Sequence, residues 1–419
     1  MIMNHCKLIL TGLLLLFIDC VFGQDSLRIS INGADKIFLQ KNLLLVAAQL
    51  NVDAQKAQEI QAKLYPNPQF SIGLNIYDAD NKKLFYDGSK GEKSFEFDQL
   101  ILLGGKRKNQ IELAKENTKL AQLELEDLLR NLKYQLHTDL YSVYFDLQTA
   151  TKYNEQLLRL DSIIIAYDQQ VQKGNIAMKE LVRLKSAYIS LNNDKTELLQ
   201  DVQASEKNLQ LLLQTDHFVL PSEDSLFNND LEKLPTLDSL QQLAMQKRSD
   251  LQLTALSKTV ADVNIKYQKS LAKPDITLGT SYDQRGNAFT DQYMFTVGIP
   301  LPFWNRNQGN IRAAEIQSKA AVVNQQFQRS TIAGEVSTAW FNMQRSIKDY
   351  QKTKQLYNED FTTVFEGVTT NFLKRNISLL EFVDFIESYN ASTAEINKAK
   401  QQLALSAEAI NYTVEFPVY

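Results

Sequence analysis

Two carboxylates, Glu381 and Asp384, stand three residues apart, a spacing that puts both on one face of a helix. They follow a short polar run, Lys374-Arg375-Asn376, built from residue types that end helices and make tight turns. A second run of the same character, Lys173-Gly174-Asn175, is followed by Glu180 and Arg183. Lining a conduit, such an acidic face attracts cations; on an ordinary helix it is a solvated stripe. Each basic turn is either a contact surface or simply a well-made turn between antiparallel helices. Opposite charges on the two segments allow ion pairs, Glu180 with Arg375 or Asp384 with Arg183, that would lock them together.

No other residues suggest chemistry. His137 and His217 lie far apart, and Met178, Met245, Met294 and Met343 are scattered, so no set has metal-ligand spacing. Each lone histidine reads as a surface or core residue. Gly104-Gly105-Lys106 lacks the upstream glycine of a phosphate-binding loop. No Ser-His-Asp or paired-carboxylate arrangement implies an active site. The expectation is a protein without cofactor, bound metal or catalysis.

The elements that must position the acidic pair are long. The 419 residues include only 15 Gly and 8 Pro, so turns are few. One helix is predicted over 105–170, about 100 Å at 1.5 Å per residue. Its apolar seam includes Leu129, Leu132, Leu136, Leu140, Val143, Leu147, Ala150, Leu157 and Ile164. A second is predicted over 309–372, with Val336, Trp340, Met343, Ile347, Tyr350, Tyr357, Phe361, Val364 and Val368. Alternating steps of three and four are the seam of a coiled coil. Each helix turns and returns, through 186–213 and 378–414.

Four segments alternate with period two instead: 68–78, 93–102, 274–283 and 292–301. Phe70, Ile72, Leu74 and Ile76, or Tyr293, Phe295, Val297, Ile299 and Leu301, alternate with small or polar residues. That suits a tilted membrane-barrel strand and equally a half-buried sheet. Four short strands cannot cover such helices and leave open edges, which membranes forbid. They are also too few to close a barrel, so several chains must pool them; three would give twelve strands.

The chain also repeats itself. A helix ending in a Pro-led strand occurs at Leu64-Tyr65-Pro66 and at Leu271-Ala272-Lys273-Pro274. A strand entering a basic turn and a helix occurs at 104–114 and 305–314. Lys173-Gly174-Asn175-Ile176 with Glu180-Leu181-Val182 and Tyr188 returns 201 residues later as Lys374-Arg375-Asn376-Ile377 with Glu381-Phe382-Val383 and Tyr389. Three landmarks in order indicate two copies of one unit.

The start reads as a secretory signal: Lys7, an apolar run over 8–18, and Val21-Phe22-Gly23 as cleavage site. The alternatives are an anchor helix or, through Cys20, a lipoprotein, although Asp19 fits a lipidation site poorly. Cleavage removes both cysteines and leaves the net charge at −4, which argues against nucleic acid as partner. No later segment has the apolar length of a membrane helix. The expected division is 1–23 signal peptide, 24–214 first repeat, 215–235 linker with Pro221 and Pro235, and 236–419 second repeat.

On these residues the chain resembles the TolC-like outer-membrane efflux family, over nearly its whole mature length. The stretch Val297-Gly298-Ile299-Pro300-Leu301-Pro302-Phe303-Trp304-Asn305-Arg306-Asn307-Gln308-Gly309-Asn310-Ile311 is similar to the strand-to-helix junction of the heavy-metal-efflux branch. Gly104-Gly105-Lys106-Arg107 matches the first junction. The resemblance implies a mainly α fold with a small β part: a long coiled-coil α-helical barrel in the periplasm joined to a twelve-stranded transmembrane β-barrel in the outer membrane. It implies a homotrimer that docks a periplasmic adaptor and an inner-membrane pump, with outer-membrane lipid around the strands. It places Lys173, Gly174, Asn175, Lys374, Arg375 and Asn376 at adaptor-docking periplasmic tips. Glu381 and Asp384 resemble the acidic pair at the pore constriction, with Glu180 at the matching place of the first repeat. Glu stands where the family often has Asp. The implied function is passive conduction of metal ions or small toxic compounds delivered by the pump. A secreted coiled-coil scaffold or a pump adaptor without a pore is the competing reading.

Overall fold

The structure, a computed structural model, describes residues 26–79, 82–85, 91–222, 231, 233–286, 289–356 and 360–419. The predicted signal, its alternatives at Cys20 and part of the linker lie outside the described residues.

A short strand β1 (Ser26–Ile29) leads into helices α1 (Ile31–Lys41) and α2 (Leu43–Ala62). Strands β2 (Gln69–Leu74), β3 (Tyr77–Asp78), β4 (Lys83–Leu84) and β5 (Glu92–Ile101) follow. Helix α3 (Lys106–Gln172) runs 67 residues, about 100 Å at the helical rise. It turns into α4 (Met178–Leu213), after which β6 (Phe218–Pro221) pairs in parallel with β1. Helices α5 (Leu237–Lys247) and α6 (Ser249–Leu271), strands β7 (Ile276–Arg285) and β8 (Phe289–Gly298), and helices α7 (Gln308–Leu356), α8 (Asp360–Leu373) and α9 (Leu379–Val414) complete the order.

The returning helix α4 begins at Met178, eight residues before the sequence-based start at 186. No helix breaker separates the two positions, and Leu181 and Leu184 are both buried, so the helix closes directly after the turn. The predicted seam holds at Leu136, Leu140, Val143, Ala150, Leu157, Val336, Met343 and Ile347, all buried. It slips by one residue in α8, where Phe365 is buried and Val364 is 48% exposed. The larger ring takes the inward position because it fills the space between helices.

The four longer strands form one antiparallel sheet in the order β2-β5-β7-β8. Cross-strand partners share a face, and the register gives the two faces different character. Phe70 faces Phe97, Ile72 faces Phe95, Phe95 faces Tyr282 and Tyr282 faces Tyr293, giving an apolar face. The other face carries Ser71 with Glu96, and Asp98 with Gly279 and Thr296. A Cβ at Gly279 would meet Asp98 Oδ1 and Thr296 Oγ1 at 2.3 Å each, so glycine makes room for both polar groups. The apolar face is bare: Phe70 is 60% and Phe295 68% exposed. Among the described residues β2 and β8 each pair on one side only.

The sheet joins the helices through a tight junction. Gly104 (φ 70°) and Gly105 (φ 78°) take left-handed conformations at the start of α3. Asp275, at the parallel bend before β7, accepts from Leu103 N (2.9 Å) and pairs with the buried Lys106 Nζ (2.7 Å). One carboxylate thus ties the helix-to-strand bend before β7 to the strand-to-helix bend after β5. Asp275→Ala leaves Lys106 buried without a counterion and is expected to lower unfolding stability by about 3–5 kcal/mol, measured by denaturant unfolding in detergent. Asp275→Asn, which keeps an acceptor for Leu103, should lose less.

Candidate functional site at the helical tips

The two predicted basic turns have one geometry. After α3, Gly174 N donates to Val171 O (2.9 Å) and Asn175 N to Gln170 O (2.9 Å). After α8, Arg375 N donates to Phe372 O (2.9 Å) and Asn376 N to Asn371 O (2.9 Å). These are the paired bonds of a Schellman motif, which satisfies the last carbonyls of each helix. Both asparagines add a side-chain bond, Asn175 Nδ2 to Gln170 Oε1 (2.8 Å) and Asn376 Nδ2 to Asn371 Oδ1 (3.1 Å). The motif needs a left-handed residue, supplied by Gly174 (φ 73°) at one tip and by Arg375 (φ 60°) at the other. Arginine there carries a strain that glycine avoids.

Beneath the turns both hairpins share one core. It contains Leu157, Leu160, Leu184, Phe365, Phe372, Phe382, Val383 and Tyr389, drawn from α3, α4, α8 and α9. Phe372 and Phe382 stack at 3.9 Å, and Tyr167 stacks on Phe372 at 5.6 Å. The two tips therefore lie side by side at one end of the molecule.

The predicted acidic pair is brought to this end, with each carboxylate engaged. Glu381 closes a capping box: Ser378 N and Oγ donate to Glu381 Oε2 at 2.8 Å each, and Glu381 N donates to Ser378 Oγ (3.3 Å). The backbone and hydroxyl donors of Ser378 hold the Glu381 carboxyl below its usual range. The Ser-x-x-Glu spacing of that box is a local signature carried by the sequence itself. Asp384 Oδ1 accepts from Arg183 Nη2 of α4 at 3.4 Å, one of the two anticipated ion pairs. The other, Glu180 with Arg375, does not form among the described residues. Glu180 is half-buried at the first turn of α4, without the serine that gives Glu381 its cap. Both partners of the Arg183–Asp384 pair are about half exposed, so it is a weak, salt-sensitive contact.

Further from the tips, two buried charge clusters escaped sequence reasoning. His137 is 7% exposed and bridges Asp35 of α1 (2.8 Å) and Glu408 of α9 (3.0 Å). Burial disfavours its charge, but hydrogen bonds and attraction from Asp35 and Glu408 win and raise its pKa to about 9. Arg248 is 2% exposed and binds Asp250, Glu335 (2.5 Å) and the carbonyl of Thr413 (3.3 Å). Arg130 joins Asp127 (2.6 Å) and Asp250 (3.3 Å). The contacts that join helices in both clusters span 87 or more residues, so no local spacing could have paired them. Among the described residues no cluster of His, Cys, Asp and Glu could hold a metal ion, and no helix is long and apolar enough to cross a membrane.

This architecture has known counterparts. The family profile described as outer membrane efflux protein matches residues 240–412. The chain is 23% identical to the probable outer membrane lipoprotein SilC of Salmonella typhimurium, over 85% of this chain and 79% of that protein. It is 22% identical to the cobalt-zinc-cadmium resistance protein CzcC of Cupriavidus metallidurans, over 85% and 82%. Crystal structures of CusC superpose with a TM-score of 0.74 at 18% identity, covering 92% of each chain. The Campylobacter jejuni CmeC outer membrane channel gives 0.74 at 14% identity, covering 92% of this chain and 85% of that one. In fold and in sequence the chain is thus similar to outer-membrane efflux proteins.

Three outcomes follow from the tip and the buried histidine. Phe382→Ala removes the stacked centre of the tip core and should cost about 3–5 kcal/mol in denaturant unfolding. Arg375→Gly should leave stability unchanged or raise it by up to about 1 kcal/mol, since relief of left-handed strain slightly exceeds the added backbone entropy. His137 titrates near 6.5 unfolded and about 9 folded. Its contribution is complete below about pH 6.5 and is lost as pH rises through 9. Thermal midpoints should therefore fall between those values in the wild type, and fall less in His137→Gln.

Proposed function

We propose that the chain is one subunit of a homotrimeric outer-membrane channel in a tripartite efflux system, passively conducting substrates supplied by an inner-membrane pump. The observation that carries this reading is the four-stranded sheet: one bare apolar face, one polar face and, among the described residues, two unpaired edges, mounted on helices of which the longest runs about 100 Å. Three such sheets joined edge to edge give a twelve-stranded barrel with lipid outside and a polar lumen inside. The element order helix, strand, strand, long helix, helix occurs on both sides of β6, which supports a duplicated unit divided at 24–214, 215–235 and 236–419.

The six turn residues Lys173, Gly174, Asn175, Lys374, Arg375 and Asn376 form the surface offered to a periplasmic adaptor. The strained, exposed Arg375 supports this, because stability alone would favour glycine there. Asp384, Glu381 and Glu180 form the acidic periplasmic gate. The Arg183–Asp384 contact holds neighbouring hairpins in one arrangement, and its weakness suits a contact that must break on opening. The cargo is metal cations or small toxic compounds. A relative whose name specifies cobalt, zinc and cadmium resistance, and others named cation efflux system proteins, support metal cations.

Single-channel conductance of the detergent-purified protein in planar bilayers tests the reading. Discrete openings are expected. In Glu381→Ala/Asp384→Ala they should be larger, or less cation-selective by about two-fold or more. Openings unchanged by the double substitution would remove the gate and keep the channel. Absence of bilayer activity, with a soluble monomer free of detergent, would leave a secreted coiled-coil scaffold as the better reading.

A further inference from the structure

The apolar face of the sheet ends differently at its two ends. Where strands meet helices, Trp304 is 88% exposed, Tyr65 72% and Phe303 63%. Cations are interleaved with these rings. Lys63, Lys108, Lys273 and Arg306 are exposed on the same bends, and none pairs with a carboxylate among the described residues. Arg107 lies 3.9 Å over the Tyr65 ring and donates to Lys63 O and Tyr65 Oη, so its guanidinium is also without an acid partner. The nearby carboxylates are already occupied: Asp275 by Lys106, Glu112 by Lys266 and Glu315 by Arg312. Neither α3 nor α7 has an acidic residue in its first turn. The positive ends of both helix dipoles therefore add to the field of the cations. At the opposite end of the sheet, described cations and carboxylates are balanced, as where Arg285 pairs with Asp283 at 2.9 Å.

From this asymmetry we infer that the strand-to-helix junction binds anionic phospholipid headgroups of the leaflet it meets. The proposal rests on the membrane reading above. Lipid phosphates sit among Lys108, Lys273 and Arg306, and Trp304 and Phe303 occupy the boundary between headgroup and acyl chain. Exposed aromatic rings beside uncompensated cations fit that boundary, where one side is apolar and the other charged. The junction also carries the bends held by Asp275, so bound headgroups would fix the height of the sheet in the membrane against the helices.

The test uses the full chain in neutral detergent with equimolar phosphatidylglycerol and phosphatidylcholine, retained lipids being counted by native mass spectrometry. Each cation near an anionic surface contributes about a five-fold preference. Wild type should retain phosphatidylglycerol over phosphatidylcholine by at least about five-fold. Lys108→Gln/Lys273→Gln/Arg306→Gln should lose most of that preference, and Lys82→Gln/Arg285→Gln, at the other end of the sheet, should keep it. On unaltered protein, raising NaCl to about 0.5 M should also abolish it. Equal retention of both lipids by wild type, or equal loss in both variants, would overturn the proposal. Flotation with vesicles of phosphatidylcholine alone separates the two claims. Insertion there without headgroup preference sinks only this inference, and failure to insert sinks the membrane reading with it.

Discussion

A backbone amide or carbonyl without a partner is costly wherever water is excluded, and a flat sheet has such groups along both outer edges. Among the described residues the four strands have two open edges and one uncovered apolar face, an arrangement that is costly in water and in lipid alike. That constraint organises the proposed channel. It demands further copies of the sheet, it sets an apolar exterior against a polar interior, and it requires that the helices descend from a fixed rim. Part of that rim is one carboxylate, Asp275, which reaches from the bend between α6 and β7 to the bend between β5 and α3.

The helices meet a different requirement. A tube about 100 Å long has to be stiff along its length and adjustable at its end. Stiffness comes from apolar seams and from two buried clusters of charged groups that cannot separate cheaply: His137 ties α1, α3 and α9, and Arg248 ties the α5–α6 bend to α7 and α9. At the tips the pattern reverses. An aromatic core keeps each hairpin intact, while the polar contact between hairpins, Arg183 with Asp384, is exposed and weak. Rigid hairpins joined by a weak contact are suited to moving as units.

The capping box refines the view of the acidic pair. Glu381 has a structural task, closing the first turn of α9 with Ser378, and its carboxylate is held in that bond. Asp384, tied only by a salt-sensitive contact, is the freer of the two charges. The first hairpin lacks the serine, and Glu180 is correspondingly uncommitted.

Local pattern determined much of this protein. Period two marked the four strands and their faces, steps of three and four marked the long helices and part of their buried line, and polar turn residues marked both tips. Each of these signals arises between neighbours a few residues apart, where geometry is fixed by the strand or helix itself. Where competing local fits were close, as between Val364 and Phe365, the sequence seam slipped, because packing volume across helices chose the residue. Tertiary structure alone decided the rest. Asp35, His137 and Glu408, or Arg248, Glu335 and the carbonyl of Thr413, come from distant segments, and only folding makes them neighbours. The protonation of His137 follows the same logic: burial alone would discharge it, and only the two carboxylates delivered by α1 and α9 keep it charged.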